Sequence, residues 1–184
     1  MEEVFVSQDW TNKSLTDDVK LAMYVVINGT SQFQYDRAEG YISVYKLSQN
    51  EVLNGINEIF GIDNGYNHTS VGPVAGCMDL KYNSNNAVYE LYDQRGCGDM
   101  SVYLLKDKIF KTVKKGDSIE VTEKFYFVLG NEGVYKDFKF TQKIADLYDQ
   151  NNSDYYFENG STVTYTFKLA EDGSYYFDNS KITY

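Results

Sequence analysis

The sequence predicts an α+β fold in which two N-terminal helices pack on a curled, mostly antiparallel β-sheet of about 6–8 strands. Three observations carry that prediction. Apolar residues recur at helical spacing twice before residue 61, the period changes to two from Met78 onward, and turn-forming Asn, Asp and Gly separate each later apolar run.

The first helix is expected after Ser14, where Ser14 and Asp17 resemble an N-cap pair and Leu15, Val19, Ala22, Met23 and Val26 follow at helical spacing. Asn28-Gly29 supplies its stop. The second helix opens on Ser48-Gln49-Asn50-Glu51, a capping box, carries the stripe Val52, Ile56, Ile59 and Phe60, and ends at Gly61. Between them, Phe33 to Tyr45 is aromatic and β-branched around Gly40, which reads as a short strand or a structured connection. From Met78 the alternation of Met78, Leu80 and Tyr82, the turn Asn83-Ser84-Asn85-Asn86, and Val88, Glu90 and Tyr92 form a hairpin pattern. Strands are expected at 101–105, 108–114, 117–129 and 134–140, with Lys115-Gly116 and Gly130-Asn131-Glu132-Gly133 as turns. A short helical turn is expected around 142–148. Val163, Tyr165, Phe167 and Leu169 alternate with Thr162, Thr164, Thr166 and Lys168, and Glu171-Asp172-Gly173 turns the chain into a last strand over 175–182. The arrangement is similar, as architecture alone, to cystatin-like and NTF2-like cones, which host many functions.

No repeat, low-complexity tract or linker interrupts the 184 residues, so one domain is expected over 1–184, helical over about 14–60 and sheet over about 77–184. Apolar residues make up 42 % of the chain, which suffices for a large core and excludes a disordered chain. The formal charge of −10 repels phosphate backbones, and no nucleic-acid partner is expected. No run of 18 apolar residues occurs, so no integral membrane segment is expected, and Met1-Glu2-Glu3 lacks the features of a signal peptide.

Cys77 and Cys97 each follow a glycine and bracket the Met78 hairpin. Joined, they close a loop that the chain-entropy model credits with roughly 3 kcal/mol, and such bonds persist mainly outside the cytosol. An extracytoplasmic location follows, secreted or at the cell surface, with the signal or lipid anchor absent from this sequence. Lysine far outnumbers arginine and asparagine is abundant, a bias that fits an AT-rich bacterial genome.

Candidate chemistry is sparse. His68 is the only histidine and lies with Tyr66 in a long loop from Gly61 to Gly76, a length that often marks function. One histidine and two cysteines do not assemble the usual zinc site, the Asp149–Asp154 segment fails a calcium loop at its glycine and glutamate positions, and no phosphate or dinucleotide motif occurs. No metal, no cofactor and no catalytic residue is therefore assigned. On the strand 117–129 the apolar face Ile119, Val121, Glu123, Phe125 and Phe127 contains one carboxylate, and the following strand carries Lys136 among Val134, Phe138 and Phe140. A pairing that sets Phe125 opposite Lys136 makes Glu123 its diagonal neighbour, which predicts a Glu123–Lys136 ion pair lining a pocket. Lys106, Lys108, Lys111, Lys114 and Lys115 read as protection of an exposed edge strand, with an anionic polymer or headgroup site as the alternative. Tyr155, Tyr156, Tyr175, Tyr176 and Tyr184 are candidates for the wet face of the last sheet, and Trp10 for an anchor of the incoming chain.

The function expected from this balance is a non-catalytic surface or secreted binding protein, of the kind found as a bacterial lipoprotein domain, that takes a protein, glycan or small ligand. Tyr66, His68, Glu123 and Lys136 are its candidate ligand contacts. The alternatives are an enzyme using carboxylate chemistry at Glu123 and a structural module of a surface assembly.

Overall fold

The computed structural model describes residues 7–74, 77–94 and 103–184. The chain begins with β1 (Trp10–Thr11), α1 (Asp17–Asn28), β2 (Gln34–Glu39), β3 (Ile42–Ser48), α2 (Gln49–Phe60), β4 (Val71–Val74), β5 (Met78–Asn83) and β6 (Val88–Gln94). It continues with β7 (Leu104–Lys115), β8 (Ser118–Leu129), β9 (Gly133–Tyr135), β10 (Lys143–Ala145), α3 (Ser153–Asn159), β11 (Ser161–Leu169) and β12 (Tyr175–Thr183). The architecture is α+β, with antiparallel strands throughout. The strands form two sheets in place of the one curled sheet expected, so the cone analogy does not describe the chain. Contacts divide the chain into two compact units, residues 12–100 and residues 2–11 with 101–184, and each has its own sheet.

The first unit holds a five-stranded sheet in the order β2-β3-β6-β5-β4. Gly40 turns β2 into β3 at φ 65°, so the aromatic stretch between the helices is a hairpin. Ser48 caps α2 as expected: its hydroxyl accepts the Glu51 amide while the Glu51 carboxylate accepts the Ser48 amide. Val52, Ile56 and Phe60 of α2 are fully buried. The first helix starts at Asp17 with Thr16 rather than Ser14 as its N-cap residue, and Thr16 makes no side-chain cap. Its buried face coincides only in part with the expected stripe. Leu15 and Met23 of the stripe are buried as expected, Lys20, Leu21, Tyr24 and Val25 also point inward, and Val26 is 41 % exposed. A lysine on the buried side breaks the apolar pattern that phase was read from. The helices approach closely, because a Cβ on Gly55 of α2 would press into the Tyr24 ring of α1.

In the second unit the sheet runs β1-β12-β11-β8-β9-β10, and β7 pairs along the opposite edge of β8. The strands expected at 101–105 and 108–114 run together as β7 over the described residues, with a bulge between Ile109 and Lys111. β7 pairs with β8 alone and is thus an edge strand, as its lysines predict. Trp10 pairs with Ser180 of β12, which anchors the incoming chain as expected. The strand expected over 134–140 stops at Tyr135 because Asp137, 5 % exposed, turns the chain. Its carboxylate accepts the Thr141 hydroxyl at 2.7 Å and the Thr141 and Gln142 amides at 2.8 and 3.0 Å. The helical turn expected over 142–148 is instead the strand β10. An unexpected helix, α3, follows. Tyr156 and Phe157 of α3 pack with Tyr126, Val128 and Val134 on one face of the sheet, and Phe125, Phe127, Tyr135 and Val163 form the core on the other. Tyr155 and Tyr156 accordingly lie on a helix, not on the wet face of a sheet, and Tyr156 is buried.

Candidate functional site

Residues 61–70 follow α2 and form the loop that carries the only histidine. Asn64 organises it from within. This side chain, 7 % exposed, donates to the Asn57 side-chain oxygen at 2.8 Å and to the Gly61 carbonyl, and accepts the Tyr66 amide at 2.9 Å. The Asn64 backbone carbonyl accepts the ammonium of Lys20, which is 2 % exposed on α1. Burial pushes the Lys20 pKa down, against the opposing charge of Asp17. Two more tethers complete the docking, from Asn67 to Asp17 at 3.3 Å and from the Tyr82 amide of β5 to the Ser70 hydroxyl at 2.9 Å.

The pinned loop sets His68 against the sheet. Tyr82 of β5 and Tyr89 of β6 are directly paired across the hairpin, so both rings stand on one face. His68 stacks on Tyr82 with ring centroids 4.9 Å apart and planes 24° apart. Tyr66 meets the imidazole edge-on at 5.7 Å. At the centre, the Tyr89 hydroxyl lies 2.8 Å from the Tyr66 hydroxyl and 2.9 Å from His68 Nδ1. Tyr82 extends its own hydroxyl to Gln49 Oε1 at 2.6 Å. Tyr89 is fully buried, whereas Tyr66, His68 and Tyr82 are half-buried.

Burial holds His68 below its ordinary pKa, which favours the neutral ring. Burial raises the Tyr66 and Tyr89 pKa values, and for Tyr89 the bond to Tyr66 raises it further. The three groups therefore share neutral hydrogen bonds with two self-consistent directions. Tyr66 donates to Tyr89 and Tyr89 to Nδ1, which leaves the proton on Nε2; or Nδ1 donates to Tyr89 and Tyr89 to Tyr66, which leaves Nε2 a bare acceptor. The second ring nitrogen can thus meet either a donor or an acceptor.

Of the four residues singled out in the sequence, the structure brings Tyr66 and His68 together. Glu123 and Lys136 belong to the second unit, and the pairing expected between their strands is shifted. Phe127 faces Tyr135 and Val128 faces Val134, and β9 ends before Lys136. Glu123 faces Val163 and Ile109 and accepts the Tyr165 hydroxyl at 3.1 Å. Asp149 accepts the Asn151 amide at 2.9 Å and caps the turn leading into α3, so that segment is a helix start and not a cation loop. Among the described residues no group of three or more His, Cys, Asp and Glu side chains converges as a metal site. The Cys77 carbonyl accepts the Gln94 amide at 3.5 Å, at the open end of the β5–β6 hairpin; Cys97 lies outside the described residues.

Tyr82 and Tyr89 were missed as site residues. The signal in the hairpin was incomplete, because the expected turn over Asn83–Asn86 would set residue 82 opposite 87, whereas the turn lies at 84–87 and sets 82 opposite 89. Which face the loop would cover had no counterpart in local sequence.

Among the described residues no helix is long and apolar enough to cross a membrane. Comparison of the chain with protein-family models, with curated proteins and with solved structures gives no match in any of the three.

Proposed function

We propose that the chain is a non-catalytic, extracytoplasmic binding protein, secreted or held at a cell surface, that engages a glycan or a small polar ligand at the His68 edge of the first unit. The observation that carries this reading is the pinned stack: His68 lies flat on Tyr82 with Nδ1 committed to Tyr89. Aromatic planes beside a neutral imidazole nitrogen suit the alternating apolar faces and hydroxyls of a sugar. Preorganisation of the loop by Asn64 and Lys20 lowers the ordering cost of such binding.

The compartment rests on the proposed Cys77–Cys97 disulfide. The hairpin register supports it, because Cys77 sits opposite Gln94 and Cys97 follows only three residues later. Titration of denatured, unreduced protein from its native host is expected to find no free thiol, and two free thiols would refute the exported location.

One histidine makes the binding test direct, since the imidazole proton signals in an NMR spectrum belong to His68 alone. Titration with chitohexaose and with cellohexaose is expected to shift those signals, and Tyr82→Ala to abolish the shift. Signals that stay fixed at saturating concentrations of both oligosaccharides refute the glycan reading.

A further inference from the structure

The second sheet carries a charge pattern that runs against the whole chain. Across β7, β8, β11 and β12 the register aligns Lys111, Thr122, Thr164 and Lys181 in one row. The next row is Lys108, Lys124, Thr162 and Thr183. Both rows project to the same face, since their members are two residues apart on β8, β11 and β12. The bulge at Phe110 restores that phase on β7. The eight positions hold four lysines, four threonines and no carboxylate, in a chain with 27 acidic and 17 basic residues, and the carboxylate of the adjoining row, Glu120, is held by Lys115 at 2.6 Å.

An ordinary wet sheet face interleaves its lysines with glutamates, because opposite charges stabilise cross-strand pairs and like charges destabilise them. Here Lys108 stands directly opposite Lys124. Their heads diverge, Lys108 over the Phe157 ring at 4.3 Å and onto Asp154 at 3.2 Å, and Lys124 over the Phe110 ring at 4.4 Å. Lys111 and Lys181 are exposed, and among the described residues neither has a carboxylate within 4.0 Å. Thr122 and Thr164 share one hydrogen bond at 3.2 Å, which leaves one hydroxyl proton of the pair to point outward. Each row spans four strands, about 14 Å at the usual strand spacing.

We infer that this face binds a linear, base-free phosphodiester polymer, such as a polyol phosphate chain, laid across the strands with its phosphates on the lysine–threonine rows. Charge complementarity carries the assignment: ammonium groups and hydroxyl protons are donors, and a phosphodiester presents only acceptors with a permanent charge. Of the two phenylalanine rings nearest the rows, Phe157 is buried beneath Lys108 and Phe110 has Lys124 over one face, so no series of open rings tracks the rows as a platform for successive bases. The rows themselves carry threonines and no apolar side chain, so among the described residues the only exposed apolar group beside them is Phe110 of the β7 bulge, too little for insertion into a bilayer. The inference stands on the second sheet alone and is independent of the His68 reading.

The test compares two double variants of equal net charge, Lys111→Gln with Lys181→Gln on the rows and Lys13→Gln with Lys139→Gln off them. The probe is synthetic poly(glycerol phosphate), and binding to the full chain is measured by calorimetry over a salt series. Each row lysine near a polyanion is worth about five-fold in affinity, so the row variant is expected to lose about 25-fold and the control less than about two-fold. The slope of log affinity against log salt is expected to fall by about 1.4 in the row variant only, at about 0.7 per lost contact. Equal losses in both variants would mean a net-charge effect and overturn the inference, as would no binding of the polymer at low salt. Tighter binding of poly-glutamate, single-stranded DNA or phosphatidylglycerol vesicles than of the polymer overturns the assigned partner.

Discussion

Replacing Tyr89 by Phe keeps the buried ring and removes the single atom that Tyr66 and His68 share. The hydroxyl makes two bonds, at 2.8 and 2.9 Å, to partners that are themselves half-buried. At about 1 kcal/mol net for each intramolecular hydrogen bond, Tyr89→Phe is expected to cost the first unit about 2 kcal/mol. For a chain of this size that corresponds to a fall of about 4–8 °C in Tm. Urea unfolding followed through the backbone amide signals of β5 and β6 in an NMR spectrum reports this unit specifically and stays readable when His68 is replaced. A double-mutant cycle with His68→Ala isolates the shared bond, and a coupling of about 1 kcal/mol is expected. Additivity within about 0.3 kcal/mol would refute a bonded network and reduce the cluster to packed rings.

Two further predictions test the frame around the sites. Asp137 binds its turn as a carboxylate; desolvation is the largest influence on it and acts upward, but the combined bonds from Thr141 and the Thr141, Gln142 and Lys139 amides hold its pKa below the ordinary value. The folded form thus binds its proton less readily than the unfolded form, so the stabilisation is present above about pH 4 and is lost as pH falls through the lower folded value. Asp137→Asn is expected to cost about 2 kcal/mol at pH 7 and progressively less towards pH 2.5 by guanidinium unfolding, whereas a pH-independent cost contradicts this account. Gly55→Ala is expected to destabilise by about 1–2 kcal/mol, although alanine favours an exposed helix interior by about 1 kcal/mol, because the new methyl presses on the buried Tyr24 ring, whose Cδ2 lies 2.9 Å from the ideal Cβ position. A gain in Tm would show that the helices are not held at that separation.

What the sequence made legible follows from how local each cause is. The capping box at Ser48 and the stop at Gly61 are set by residues within a few positions of each other and stand where the pattern puts them, and the β5–β6 hairpin forms with its turn one residue later than the pattern puts it. The end of β9 depends on Asp137 reaching forward to Thr141 and Gln142, a short-range device, but alternation of Val134, Phe138 and Phe140 masked it. The helix α3 has only seven residues, too few to be stable on propensity, and it stands on the contact of Phe157 with Tyr126 at 4.8 Å across the sheet. Such a contact has no local signature. The split into two sheets likewise depends on which strands find each other.

Lys20 gives the clearest case of a local rule overturned for a reason tied to the site. A lysine at 2 % exposure lies on the buried face of α1, beside Leu21 and Tyr24, where an apolar side chain would meet no desolvation penalty. The downward push on its pKa expresses that penalty. In exchange its ammonium holds the Asn64 carbonyl, and Asn64 in turn fixes Asn57, Gly61 and Tyr66. A loop that merely connected α2 to β4 would run over the surface without a buried ammonium to hold it. The stabilisation given up at Lys20 is best understood as the cost of rigidity two residues before the stack, where a displacement of Tyr66 would carry His68 off Tyr82 and break its bond to Tyr89. That linkage, from an out-of-place lysine to the geometry of the only imidazole, is the strongest physical reason to treat residues 64–68 as a prepared surface and not as a passive turn.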